Sequence, residues 1–138
     1  MPYLAFTDEW ARAWGDALRA DAEYRRAAHS WHWPIVITVQ PDPERNLSVS
    51  RSVYLDLQYG ECLEARAAQT ADVETAPYHL TTDLATWEAV LHGDLDPIMG
   101  IMRGKLRLER GSVASLLPYV AAARRMVYAA TQVDTIFP

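Results

Sequence analysis

The chain has 138 residues, with 13 lysines and arginines against 18 aspartates and glutamates, and one cysteine. A chain of this length fits one domain that buries about two thirds of its unfolded surface, so neither disulfides nor a structural metal is required. The net charge of −5 argues against nucleic acid as a partner and against tight docking on anionic lipid.

Compartment signals in the sequence favour the cytoplasm. The single cysteine, Cys62, allows no intrachain disulfide and fits a reducing compartment. No apolar run approaches the roughly 20 residues that span a bilayer. Residues 1–10 have no basic region and turn acidic, unlike a secretory signal, and residues 136–138 are not a peroxisomal Ser-Lys-Leu address. We therefore expect a cytoplasmic protein.

The first predicted element is an amphipathic helix from Thr7 to about Ala28. Thr7 is a suitable N-cap, and Asp8 and Glu9 lie in the first turn, where the helix dipole favours acids. Apolar side chains recur at three- and four-residue steps and predict that the helix covers one side of a sheet. A membrane-surface helix is the alternative, but the opposite face carries charges of both signs rather than a basic cluster.

Two strands are predicted next. Residues 35–39 are rich in β-branched side chains and predict the first strand. In the second strand Val53, Leu55 and Leu57 alternate with polar residues, which predicts one buried face and one wet face.

A hairpin and a fourth strand follow. Residues 59–61 predict a tight turn, and in the third strand Leu63, Ala65 and Ala67 are expected on one face. The small residues on that face would leave room for a cavity. Residues 72–77 are expected to form a loop, before a short fourth strand over residues 78–82.

Residues 82–109 predict two helices and a strand. Thr82 or Asp83 caps the first helix, which carries Trp87 and ends at residues 92–94. Asp96 caps the second helix, which has a proline at its first position and apolar side chains almost all round. It ends at Gly104, and residues 105–109 then alternate as the fifth strand.

The last predicted element is a helix that Ser112 introduces. Because Pro118 cannot lie deep inside a helix, we expect a short turn up to Leu117 and the helix proper from Pro118 to about Ala130. The apolar tip of residues 131–138 is expected to pack back on the body. The element order α-β-β-β-β-α-α-β-α predicts an α+β fold.

One stretch resembles a known family. Thr82, Asp83 and Trp87, then residues 91–97 (LHGDLDP) and 102–106 (MRGKL), are similar to the motif of the sterol carrier protein type 2 family. One departure is Ser112 after Gly111, where the family often has Gly-Asp; serine also caps helices. The resemblance implies a five-stranded curved, mostly antiparallel sheet with helices on one face enclosing a hydrophobic tunnel.

The same resemblance implies the function. Residues 1–138 would form a single lipid-binding domain that carries a hydrophobic ligand such as a fatty acid, acyl-CoA, sterol-like or isoprenoid lipid, without enzymatic activity. We expect no integral membrane segment, because no apolar run is long enough to span a bilayer, and transient membrane contact and a homodimer are further options.

The tunnel lining is predicted from the apolar residues of this motif and of the last helical segment, with two methionines that adapt to varied ligands, and from three residues of the sheet. The predicted lining residues are Trp87, Leu91, Ile98, Met99, Met102, Leu116, Leu117, Val120, Val53, Leu55 and Leu63.

Other chemistry has little support in the sequence. The four histidines are not grouped with a spacing typical of zinc ligands, so no metal or other cofactor is expected. Cys62 has no base or orienting partner that the sequence can place. Asp83, Glu88, Asp94 and Asp96 could form an acid–base pair if buried, but helix capping and a solvated turn explain them more simply.

An accessory or dimerisation module that supports a partner enzyme is the alternative function. Exposed Trp31 and Trp33 would favour it, because aromatic residues are enriched at interfaces.

Overall fold

The computed structural model describes residues 2–138, which contain seven strands and seven α-helices. The strands are β1 (Tyr3–Leu4), β2 (Pro34–Val39), β3 (Arg51–Gln58), β4 (Glu61–Ala67), β5 (Tyr78–Thr82), β6 (Arg107–Arg110) and β7 (Thr135–Ile136). The helices are α1 (Asp8–Arg19), α2 (Ala22–Ala27), α3 (Thr70–Thr75), α4 (Leu84–Leu91), α5 (Pro97–Met102), α6 (Val113–Leu116) and α7 (Val120–Thr131), with 3-10 turns at Pro43–Arg45 and Leu117–Tyr119.

A five-stranded open sheet in the order β4-β3-β2-β5-β6 forms the centre of the fold. Strands β2 and β5 pair in parallel, and the other neighbours pair antiparallel. The prediction of an α+β fold with a five-stranded, mostly antiparallel sheet is confirmed. Val53, Leu55 and Leu57 of β3 are buried on one face, as their alternation predicts.

The edge strand β4 contains a β-bulge that overturns one prediction. Leu57 pairs with Cys62 but Asp56 pairs with Glu64, so Leu63 is left without a partner. Its side chain is 58% exposed, whereas Cys62 and Ala65 take the core positions. The prediction that Leu63 faces the core was therefore wrong.

The N-terminal helical segment is broken where one continuous helix was predicted. α1 ends at Arg19, and the side chain of Asp21 accepts a hydrogen bond from the backbone N–H of Tyr24 at 3.0 Å. An aspartate that caps a new turn competes with continuation of the preceding helix. Asp21 also accepts a hydrogen bond from Arg125 of α7 at 2.9 Å, which joins the break to the last helix.

The segment predicted as a loop over residues 72–77 contains a helix instead. Gln69 and Asp72 cap α3 reciprocally. Arg66 donates to Asp72 at 2.8 Å, and Arg110 donates to the carbonyl oxygens of Val73 and Ala76 at the other end of the helix. Two arginines of the sheet therefore hold α3 in place, a long-range cause that local sequence does not reveal.

The C-terminal elements follow the sequence prediction closely. The 3-10 turn that contains Pro118 separates α6 from α7. Strand β7 pairs in parallel with β1, and the indole of Trp10 donates to the hydroxyl of Thr135 at 3.0 Å. The last residues thus pack on the body of the domain, in a small second sheet.

Candidate ligand cavity

An apolar cavity of about 100 Å³ lies between the sheet and the helices. On the sheet side its wall is formed by Ile35 and Ile37 of β2, Leu57 of β3 and Leu80 of β5, all of them buried. The remaining walls come from α1, α2 and α4–α7. The cavity therefore lies in the main core, and its less buried lining residues are on the helical side.

Helix α4 supplies a wall because its first turn is fixed and its apolar residues share a face. The Asp83 carboxylate accepts a hydrogen bond from the backbone N–H of Thr86 at 2.7 Å. Trp87, Val90 and Leu91 follow at spacings of three and four residues and line the cavity. The Trp87 indole donates to the carbonyl oxygen of Thr38 at 2.8 Å, which fixes the ring against β2.

Helix α7 forms the opposite wall with small and flexible side chains. Ala122, Ala123, Met126 and Val127 recur on one helical face and line the cavity. The two alanines leave space that larger residues would fill, and methionine adapts to irregular space. This spacing is visible in the sequence, but only Val120 of this helix is among the predicted lining residues.

An aromatic cluster closes one end of the cavity. The ring of Trp31 lies 4.8 Å from that of Tyr78 and 4.9 Å from that of Tyr119, centroid to centroid. Trp31 and Tyr119 both line the cavity. Trp31 is only 4% exposed and Trp33 is half-buried against the core, so Trp31 does not provide the exposed aromatic surface that would favour an accessory module.

Four of the residues predicted to line a tunnel lie around this cavity. They are Trp87, Leu91, Ile98 and Leu116. Val53 and Leu55 are fully buried on the same face of the sheet but lie in solid core outside the cavity, and Val120 packs half-buried beside it. Ligand binding by the four inward residues stays a prediction.

The other four predicted lining residues point away from the cavity. Met99, Met102 and Leu117 are 39%, 57% and 47% exposed, and Leu63 lies in the bulge of β4. Helix α5 has only six residues, and its inward positions are occupied by Ile98 and Ile101. At 3.6 residues per turn, Met99 therefore lies on its outer side, whereas Met102 follows Ile98 by one turn and is exposed as the last residue of the helix.

A second hollow, the C-terminal groove, opens on the surface beside the cavity. It has a volume of about 500 Å³ and lies between the C-terminal ends of α4 and α7 and the chain around β7. Leu91 is a wall of both spaces and separates them. Unlike the cavity, the groove has polar lining residues, including His92, Gln132 and Asp134.

The carboxylates considered for acid–base chemistry serve structural roles. Asp96 caps α5 by accepting from the backbone N–H groups of Ile98 and Met99, and it accepts from Arg124 at 2.9 Å. Burial opposes ionisation of Asp96, but the hydrogen bonds outweigh it and lower its pKa. Glu88 pairs with Arg45 at 2.9 Å. The contacts of Asp96 favour its ionised form rather than proton exchange.

The thiol of Cys62 is not activated as a nucleophile. Burial raises the pKa of Cys62 to about 11, so its thiol is neutral at physiological pH. Across residues 2–138, no cluster of three or more His, Cys, Asp or Glu side chains could hold a metal ion. In the same range, no helix is long and apolar enough to cross a bilayer.

Fold and cavity define a small α+β domain built around an apolar interior space. Comparison with solved structures finds a sterol carrier protein 2 at 37% identity and a TM-score of 0.84, covering 94% of this chain and 98% of the other. A conserved hypothetical protein from Thermus thermophilus, described as a candidate sterol carrier protein, is 35% identical with a TM-score of 0.86, covering 99% and 94% of the two chains.

The chain therefore belongs to the sterol carrier protein 2 family, and the resemblance in the sequence is confirmed. The sterol carrier protein domain 2 of Helicoverpa armigera is 11% identical with a TM-score of 0.57, covers 99% of each chain and shares the fold. No family model matches the sequence, and no curated protein matches it.

Proposed function

We propose that the chain is a non-enzymatic carrier that binds one hydrophobic small molecule, such as an acyl chain or a sterol-like or isoprenoid lipid, in the apolar cavity. The observation that carries this proposal is the cavity itself, which lies in the main core and is lined almost entirely by apolar side chains. Sites of this kind bind ligands mainly by removing apolar surface from water. Membership of a family named for sterol carriers supports the same assignment.

The size of the cavity sets a condition on the ligand. A cavity of about 150 Å³ in another protein binds benzene, and the cavity here has about 100 Å³. A long chain therefore enters only if lining side chains or short helices move. Burial of about ten methylene groups yields about 8 kcal/mol, equivalent to about micromolar affinity before the cost of association is subtracted.

The accessory-module alternative has less support than the carrier. It depended on exposed tryptophans, and Trp31 is buried in the aromatic cluster instead. We therefore favour the carrier. Cytoplasmic location and a homodimer stay predictions of the sequence.

Filling the cavity tests the proposal. Ala122→Phe places an aromatic ring in the cavity from α7, where Ala122 is buried and lines the space. Affinity for the neutral apolar fluorophore N-phenyl-1-naphthylamine should fall by about tenfold or more, because the space that the probe needs is occupied. The measurement is fluorescence titration, with circular dichroism to verify the fold.

The adjacent residue provides a matched control. Ala121→Phe makes the same change one position away on the same helix, where the side chain is exposed. It should leave affinity within about twofold. Should Ala122→Phe fail to fold, Ala122→Leu makes the same test with less added volume. A folded Ala122 variant with wild-type affinity would show that the probe does not bind in the cavity and would contradict the proposal.

Native mass spectrometry of the purified chain, followed by organic extraction, identifies the natural ligand. A lipid released with one-to-one stoichiometry supports the carrier. Purified protein that carries no lipid and also fails to bind the fluorophore contradicts the carrier.

A further inference from the structure

The C-terminal groove lies against the cavity, with one side chain between them. Leu91 is 4% exposed and contributes to the walls of both spaces. The groove is open to solvent on its other side, at the exposed residues His92, Gln132 and Asp134. An amphiphile whose chain occupies the cavity and passes Leu91 would thus place its head in this groove.

Two side-chain hydrogen-bond donors of the groove, the Trp10 indole and the Thr135 hydroxyl, are already used by the protein. The Trp10 indole donates to the hydroxyl oxygen of Thr135 at 3.0 Å, and that hydroxyl donates to the carbonyl of Val133 at 3.0 Å. A carbonyl oxygen can only accept, so the direction of the second bond is fixed. Neither group has a proton left for a ligand.

The same pattern repeats on the α7 side of the groove. The hydroxyl of Thr131 donates to the carbonyl of Tyr128 at 2.6 Å, and the Gln132 amide nitrogen donates to Thr131 at 3.2 Å. Apart from the second N–H of the Gln132 amide, what remains for a ligand is acceptors: the Gln132 carbonyl oxygen, the second lone pairs of the two threonine hydroxyls and the Asp134 carboxylate. His92 can serve as either donor or acceptor, according to its tautomer.

The charges around the groove are negative, which also disfavours an anionic ligand. α4 and α7 both end here, with His92 and Gln132 as their C-caps, and helix C-termini carry partial negative charge. Asp134 adds a full negative charge. Among residues 2–138, no lysine or arginine lines the groove, and Arg45, which binds the carbonyl of Pro138, is paired with Glu88.

We infer that the C-terminal groove is the head-group site of the carrier and takes a head that donates hydrogen bonds and carries no negative charge, a hydroxyl or an ammonium group, in preference to a carboxylate. This inference rests on the proposed function, because it assumes that the chain of the ligand occupies the cavity.

Three probes with one chain length test the inference: dodecan-1-ol, dodecylammonium and dodecanoate. Each is titrated at pH 8 as a competitor of N-phenyl-1-naphthylamine, below its aggregation concentration. Dodecan-1-ol and dodecylammonium should each bind at least about fivefold more tightly than dodecanoate, because the acceptors and negative charges of the groove repel an anion. Dodecanoate that binds as tightly as the alcohol overturns the inference.

Asp134→Asn assigns the preference to the groove. The variant should weaken dodecylammonium by about threefold, strengthen dodecanoate by about threefold and leave dodecan-1-ol within about twofold. Glu74→Gln is the matched control, since it removes the same charge from an exposed position on α3. It should leave all three affinities within about twofold, and equal effects of the two variants would assign the preference to net charge and overturn the groove site.

A second variant addresses the acceptors rather than the charge. Gln132→Met removes the amide oxygen of an exposed groove residue and should weaken dodecan-1-ol by about threefold. Unchanged alcohol affinity in both Gln132→Met and Asp134→Asn, together with an unshifted dodecanoate affinity, overturns the inference but leaves the carrier intact. Failure of all three probes to displace the fluorophore contradicts the carrier itself.

Discussion

The two walls of the cavity differ in how firmly the fold holds them. On the sheet side, Ile37 and Leu57 are buried and belong to strands that pair on both sides. On the helical side, Ile101, Met126 and Val127 are only half-buried, and α5 and α6 have six and four residues. Short helices with partly exposed side chains open at lower free-energy cost than central strands. Expansion for a ligand should therefore occur on the helical side.

The largest expected effect concerns the sheet side. Leu55→Ala should lower the free energy of unfolding by about 2–5 kcal/mol, because Leu55 is fully buried and the rigid sheet cannot close the void. Leu63→Ala is the matched control, a leucine in the adjacent strand that the bulge leaves exposed, and should cost no more than about 0.5 kcal/mol. Urea denaturation measures both losses of stability, and equal losses would show that Leu63 packs in the core.

Trp87 of helix α4 is bonded to the sheet through its indole N–H, and this hydrogen bond should contribute to stability. Trp87→Phe keeps a ring but leaves the carbonyl of Thr38 without this donor, so we expect a loss of about 1–3 kcal/mol in thermal or urea unfolding. Trp33→Phe is the control, because within residues 2–138 the half-buried Trp33 indole donates no hydrogen bond to the protein. A smaller loss for Trp87→Phe than for Trp33→Phe would contradict the assigned role.

Hydrogen exchange compares the two walls directly. In the ligand-free chain, amides of α5 and α6 should exchange faster than those of β2 and β3. Saturation with N-phenyl-1-naphthylamine should slow exchange in the helices by about threefold to tenfold and leave the strands nearly unchanged, since the bound ligand packs against the helical wall and stabilises it. Protection confined to the strands would show that the wall assignment is reversed.

The smallest expected effect is a pH dependence from the far side of the sheet. Burial, and then the charge of Arg110, lower the pKa of His79 below its ordinary 6.5. The folded state then binds fewer protons than the unfolded state, so stability is complete above pH 6.5 and falls as the pH drops below it.

His79→Gln should flatten this part of the stability profile. The Gln side chain can still bind Thr38, to which the Nε2 atom of His79 is bonded at 2.8 Å. Asp72 and Asp96, whose pKa values lie below 3.8, contribute only at lower pH. His32→Gln, at an exposed position, should keep the wild-type slope between pH 7 and 5, and a flat profile in that control would assign the slope elsewhere.

The fold could be predicted where its causes are local. Alternation in β3, the caps at Asp83 and Asp96 and the break at Pro118 all depend on a few neighbouring residues, and the structure has each of them. The break at Asp21 and the helix α3 depend on partners far along the chain, Arg125 and Arg110. Local sequence patterns do not predict those long-range contacts.

Only some of the residues that line the cavity could be predicted from the sequence, for a similar reason. An apolar helix indicates that some side chains face inward, but the rotation of α5 decides that Ile98 does so and Met99 does not. Tertiary packing sets that rotation. The contribution of α7 has a visible signal, the repeated spacing of Ala122 and Met126, whereas burial of Trp31 follows from packing against Tyr119.

The central claim is that the apolar cavity holds the ligand, and a crystal structure with 12-bromododecan-1-ol tests it most directly. The anomalous signal of bromine marks the end of the chain. We expect one bromine site inside the cavity, between the sheet wall at Leu57 and the helical wall at Met126. Bromine found only at the exposed methionines of α5, with the cavity unchanged, would contradict it.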